Sequence, residues 1–150
     1  MSLALQFDWT LNLFLAALLS MVIGIDREHR SRSTAGTRTH MLVGVASCLF
    51  TLLSIHAFEG EGGRVAAQIV SGIGFLGAGA IFLRGGTVHN LTTAASIWAV
   101  SAIGMAVGAG AWLLAVNATL IVWFILEPLR RLTKSRNGVI PHDDTETTQS

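Results

Sequence analysis

Apolar and polar positions divide the chain into five long apolar segments separated by short polar breaks. They are about Trp9–Ile25, Thr39–Phe58, Val65–Leu83, Leu91–Val107 and Ala109–Leu126. Each is near the ~20 residues a helix needs to cross a hydrocarbon layer of about 30 Å, the first and fourth being short. The pattern predicts an all-α, polytopic membrane helix bundle of about five transmembrane helices. The faintest break is Val107-Gly108-Ala109-Gly110, where only glycines mark a turn; a re-entrant pair is the alternative there. After about Leu132 the chain turns polar, with Asn137-Gly138 and Pro141. Residues 1–132 are therefore expected to form one membrane domain, and 133–150 a disordered cytoplasmic tail.

Composition agrees. Of 150 residues, 51% are hydrophobic and only 13% charged, against about 25% charged in a soluble domain. Very few charges fall between Thr39 and Leu126, which excludes an ordinary soluble globule. The first apolar run lacks the basic flank of a secretion signal, Asp8 being the sole charge before Trp9, so it reads as a retained helix. Cys48 is the single cysteine; its apolar setting predicts a buried, inert thiol.

The distribution of basic residues orients the bundle. Arg27, Arg30, Arg32 and Arg38 lie in the first connection, Arg84 in the third, and Arg130, Arg131, Lys134 and Arg136 in the tail; Arg64 alone lies on the other side. Cytoplasmic loops are enriched in Lys and Arg. Five crossings with the N-terminus outside and the C-terminus inside bring all three basic segments to the cytoplasmic face.

Gly72-Ile73-Gly74-Phe75-Leu76-Gly77 matches the dinucleotide pattern GxGxxG, but the context is wrong. The glycines sit inside an apolar run, and no carboxylate lies about twenty positions downstream to hold a ribose. A membrane helix explains them better. Helices in lipid associate by close packing of small residues, and Ala67, Ser71, Gly74 and Ala78 recur at spacings of four, three and four. Gln68, Gly72, Gly77 and Gly79, with Ala95 and Ala99 on the fourth segment, extend the surfaces predicted for helix packing or partner docking. The expectation is that the third helix is buried against neighbours.

The second informative group gathers at the predicted cytoplasmic helix ends. Asp26, Arg27 and Glu28 close the first segment; Arg38 and His40 open the second; Arg84 closes the third; Thr92 and Thr93 open the fourth. Arginines at inner helix ends anchor by snorkelling, but anchoring does not require the two acids. An ion-pair network is favoured over a Mg²⁺ site, because Asp26 and Glu28 stand among several arginines. Within the spans, Gln68, Ser71, Thr92, Thr93, Ser96, Ser101 and Asn117 are candidates for hydrogen bonds between helices. No acid lies deep in any span, which argues against a proton relay at the membrane centre. The histidines lack metal-ligand spacing, and no serine has a nearby His/Asp set. No enzyme, metal, cofactor or nucleic-acid function is expected.

Four motifs, in order, resemble the MgtC/SapB family of bacterial inner-membrane proteins. They are Gly24-Ile25-Asp26-Arg27-Glu28, Ala35-Gly36-Thr37-Arg38-Thr39-His40, the run from Arg64 through Gln68 and Ser71 to Gly79, and Leu91-Thr92-Thr93-Ala94-Ala95-Ser96-Ile97-Trp98. The similarity runs from roughly Leu11 to Leu132. It implies a membrane domain of this size, a link to magnesium limitation and, in pathogens, to virulence and survival inside host cells. It also implies a regulatory role through membrane partners, including the proton-conducting part of ATP synthase. Longer members carry a soluble C-terminal domain, where this chain has a short polar tail. The alternative is a small Mg²⁺ or other cation transporter or channel; besides the lipid bilayer and membrane proteins, a second copy of the chain in a homo-oligomer is a candidate partner.

Overall fold

The computed structural model describes residues 3–31, 35–57, 60, 62–84 and 86–127. The expected tail, 133–150, lies outside the described residues, as do Arg32, Arg130, Arg131, Lys134, Arg136 and the side chains of Arg30 and Arg84.

Five helices form, as the apolar pattern predicts: α1 (Leu3–Ser31), α2 (Thr37–His56), α3 (Gly62–Ala80), α4 (Leu91–Gly108) and α5 (Trp112–Leu126). A bilayer leaves backbone groups no partner but one another, so apolar runs close their hydrogen bonds within a helix. By length and composition, α1, α2 and α4 can cross a membrane. Glycine, Gln68 and Ser71 dilute the apolar character of α3, and the 15 residues of α5 reach only about 22 Å. Helices α4 and α5 are separate, and Gly110, at φ +78°, supplies the left-handed turn between them.

Several boundaries differ from the apolar pattern: α1 begins at Leu3 and not Trp9, α3 ends at Ala80 and not Leu83, and α5 begins at Trp112 and not Ala109. Helix α1 extends past Ile25 to Ser31, because no Gly or Pro interrupts Asp26–Ser31. Between α3 and α4, where the apolar pattern carries the third segment on to Leu83, β1 (Phe82–Arg84) and β2 (Thr87–His89) form an antiparallel hairpin. The Phe82 and His89 rings stack across it at 5.3 Å. Asn90 Nδ2 donates to the Ala80 carbonyl at 3.2 Å, tying the hairpin base to the end of α3.

Helix α4 packs against all four other helices. Ile23, Leu52, Ile103, Val100 and Val107 fill the space between α1, α2 and α4. Ser47 and Ser101 hydrogen-bond between α2 and α4 at 2.8 Å. The backbones are closest where α2 crosses α4: a Cβ on Gly104 would overlap the Gly44 carbonyl oxygen and lie 3.1 Å from the Gly44 Cα. At Gly24 of α1 an added Cβ would stand 2.7 Å from the Thr37 Cα of α2.

The expected burial of α3 requires correction. Ala67, Gln68, Ser71, Gly72, Gly74, Ala78 and Gly79 are exposed, and a Cβ on Gly72, Gly74 or Gly79 would meet nothing within 4 Å among the described residues. Helix α3 instead buries Ile69, Ile73 and Gly77, the last against Ala94 of α4. Ala95 is exposed and Ala99 half-buried. Small residues allow a close approach without compelling one; the close approaches within the chain fall at Gly24, Gly44, Gly104 and Gly108.

Candidate functional site

The C-terminal turns of α1 meet the first turns of α2 and α4 at one end of the bundle. Helical periodicity turns Asp26 and Arg27 inward, 6% and 5% exposed, and leaves Glu28 outside. Arg27 Nη2 donates to Thr93 Oγ1 at 2.9 Å, a charge-assisted bond between α1 and α4. Thr93 is in turn joined to Ser96, whose Oγ donates to the Thr93 carbonyl at 2.8 Å. Ser96 Oγ also lies 2.9 Å from His40 Nε2 of α2. On the other side of the ring, His40 Nδ1 donates to the Gly36 carbonyl at 2.8 Å. His40 is fully buried, so the arrangement Arg27–Thr93–Ser96–His40–Gly36 stitches three helices together away from solvent.

Glu28 acts on the outside of the same junction. Helix α2 has no side-chain cap from its own N-cap residue, Gly36. The carboxylate of Glu28 takes that part, its Oε2 accepting from the Thr37 amide at 2.8 Å and satisfying a first-turn N–H that the helix leaves unpaired. Glu28→Ala is expected to accelerate hydrogen exchange at the Thr37 amide while leaving exchange at mid-α2 unchanged. Mass spectrometry of the deuterated protein measures this, and an unaltered rate at Thr37 would remove the cap.

The charged and polar cluster expected from sequence is therefore only partly assembled. Arg27, Glu28, His40 and Thr93 enter the junction. Asp26 lies beside it and lines a cavity of about 320 Å³ with Val22, Ile25, His29 and Trp123. Arg38 and Thr92 are exposed, and the Arg84 side chain lies outside the described residues. Ser96 is the member that sequence reading separates from the cluster, placing it among span hydroxyls; its spacing of three from Thr93, which puts both on one helical face, is the signal that connects them. Of the other span hydroxyls and amides, Ser101 bonds across helices, whereas Gln68, Ser71 and Asn117 face outward. Among the described residues no group of three or more His, Cys, Asp or Glu is placed to hold a metal ion. The GxGxxG run lies wholly inside α3, without the strand-to-helix turn on which phosphate binding depends.

Five helices, three of them able to cross a bilayer, with buried ionisable groups gathered at one end, define a helical membrane protein. The chain belongs to the MgtC family, whose model matches residues 13–135. It is 38% identical over 135 residues to YhiD of Escherichia coli strain K12, an alignment covering 84% of this chain and 62% of YhiD. It is 46% identical over 118 residues to the protein MgtC of Salmonella typhimurium strain LT2, covering 79% of this chain and 51% of that protein. With MgtC of Brucella abortus strain 2308 it shares 44% over 120 residues, 79% of this chain and 50% of the relative. The chain thus spans between half and about three-fifths of the length of these relatives. No solved structure matches it.

Proposed function

We propose that this protein is a non-enzymatic, multi-pass regulator of the bacterial inner membrane, linked to adaptation to low magnesium, that acts by engaging membrane protein partners such as ATP synthase. The observation that carries this reading is the outward face of α3. Ala67, Ser71, Gly74 and Ala78 are exposed at helical spacing, with open space around Gly74. Beside them a groove of about 550 Å³ runs between α2 and α3, lined by Leu42, Phe50, Gln68, Gly72 and Leu76 among others. A surface of small residues next to a groove suits the close approach of another membrane helix. The buried hydroxyls of Ser47 and Ser101 bond one another and that of Ser96 bonds the Thr93 carbonyl, which favours a packed core over a polar pathway. The second reading is cation transport, favoured by the name of YhiD, which proposes a magnesium transporter.

Inside-out vesicles from cells with and without the protein distinguish the two. Proton pumping is driven first by ATP and then by respiration. A regulator of ATP synthase lowers only the ATP-driven signal; an ion leak lowers both. Gly74→Leu is expected to restore ATP-driven pumping while the variant accumulates and melts like the wild type, since a Cβ added at Gly74 meets nothing within 4 Å among the described residues. Full inhibition by that variant would remove the α3 face from the mechanism.

A further inference from the structure

The buried junction holds fewer protons than its hydrogen-bond contacts require when the His40 ring is neutral. The Gly36 carbonyl has no proton to give, so the hydrogen in its 2.8 Å contact belongs to His40 Nδ1. The Thr93 carbonyl has none either, so the 2.8 Å contact from Ser96 uses the single hydroxyl proton of Ser96. Nε2 of His40 and Oγ of Ser96 are 2.9 Å apart. With the serine proton on the Thr93 carbonyl, that contact forms only if Nε2 is itself protonated, and the ring is then an imidazolium. With a neutral ring, the serine proton turns to Nε2 and leaves the Thr93 carbonyl. One set of heavy-atom positions thus accommodates two proton arrangements that differ by one proton and by the direction of one hydroxyl.

The surroundings separate these arrangements from water. His40, Ser96 and Thr93 are each at most 2% exposed, so no bulk solvent stands in for a missing partner. Among the described residues, the charged and titratable groups at this end are Asp26, Arg27, Glu28 and His29 of α1, Arg38 of α2, His89 of β2 just before α4, and Glu127 at the end of α5, with Arg30 and Arg84 alongside them in the sequence. Helix α4 offers only the hydroxyls of Thr93 and Ser96, and α3 carries no titratable side chain beyond Arg64, at its far end. The Arg27 guanidinium is bonded to the Thr93 hydroxyl, so a change at the ring is felt along α4 and at α1 through one residue.

We propose that His40 and Ser96 form a proton switch. Uptake of one proton from the aqueous side of Gly36 converts the ring to a double donor and swings the Ser96 hydroxyl from Nε2 to the Thr93 carbonyl, coupling protonation to the α1–α2–α4 junction. The switch is a conformational device of the fold, with the proton as its ligand.

The test is solid-state NMR of the full chain, labelled with ¹⁵N and ¹³C, in lipid bilayers between pH 4 and 8. At pH 8 the ring of His40 is expected to show a single protonated nitrogen, Nδ1, and on acidification both nitrogens are expected to be protonated. The Thr93 carbonyl ¹³C shift is expected to move with the same midpoint, because it gains the serine hydroxyl as the ring gains its proton. Ser96→Ala removes the Thr93 response, and Ser96→Thr retains it. A ring protonated on Nε2 alone at pH 8, a ring unchanged over the whole range, or a Thr93 carbonyl that does not follow His40 would each overturn the proposal. The wild-type titration alone decides it if Ser96→Ala fails to fold.

Discussion

Gly104→Val is expected to eliminate most of the folded protein. The Cβ of any side chain at this position would overlap the Gly44 carbonyl oxygen and stand 3.0 Å from the Gly44 carbonyl carbon. The obstacle is backbone, so no rotamer change relieves it; α2 and α4 must separate. Overpacking a core ordinarily costs about 1–3 kcal/mol. Here separation would also open the space filled by Val100, Ile103, Val107 and Cys48 and lengthen the Ser47–Ser101 bond. Gly104→Ala is expected near the upper end of that range and Gly104→Val beyond it, a large part of a typical stability of about 5–15 kcal/mol. Size-exclusion profiles and thermal melts in detergent measure this. The control is Gly74→Ala, where the new methyl meets open space and alanine favours the helix by about 1 kcal/mol; it is expected to melt at or above the wild-type temperature. A monodisperse Gly104→Val protein with a wild-type melt would show that the α2–α4 crossing is not as tight as described.

Arg27→Met is expected to have the next largest effect. Arg27 is buried, and its guanidinium bonds Thr93 between α1 and α4. Hydrogen bonds to charged groups contribute about 1.5–3 kcal/mol, and methionine retains most of the apolar stem while removing every donor. A loss of about 2–3 kcal/mol is expected. Thr93→Val removes the acceptor at nearly constant shape. Because both changes break the same contact, the double variant is expected to be less destabilised than the two single losses added together. Additive losses in that cycle would mean that the Arg27–Thr93 bond contributes nothing. Arg27→Lys is expected to recover only part of the loss, since an ammonium lacks the planar fork of a guanidinium.

The two variants probe parts of the molecule that differ in how far sequence reveals them. Arg27, His40 and Thr93 stand out as polar residues at the borders of apolar runs, and alternate crossing places those borders at one end. That they share one end follows from topology; that Arg27, His40 and Thr93 turn inward while Arg38 and Thr92 stay exposed does not. The bond from His40 to Ser96 does not, because it depends on the rotation of α4 about its axis, which the nearly uniform apolar surface of that helix leaves unspecified. The glycines show the same division. GxGxxG and the small-residue spacing of α3 draw the eye to Gly74, yet that face is open, and the close approach lies at Gly44 and Gly104, sixty positions apart and without a local pattern. The hairpin at Phe82–His89 is hidden for another reason. Its strands are three residues each, too short for alternation to show, and the sign left in the sequence is the Gly85-Gly86 pair, of which Gly86 takes a positive φ.

The sequence by itself determined the helices of this protein, their order and the gathering of polar residues at one end, because in a bilayer a continuous apolar run of spanning length satisfies its own backbone as a helix. It also carries the family, through motifs at the facing ends of α1, α2 and α4 and along α3. Tertiary structure alone decided which glycines bring backbones together, which face of α3 stays open, and which hydroxyl answers His40. Those depend on crossing points and axial rotations between distant segments, and helices in lipid settle them by shape, since hydrophobicity no longer distinguishes one face from another.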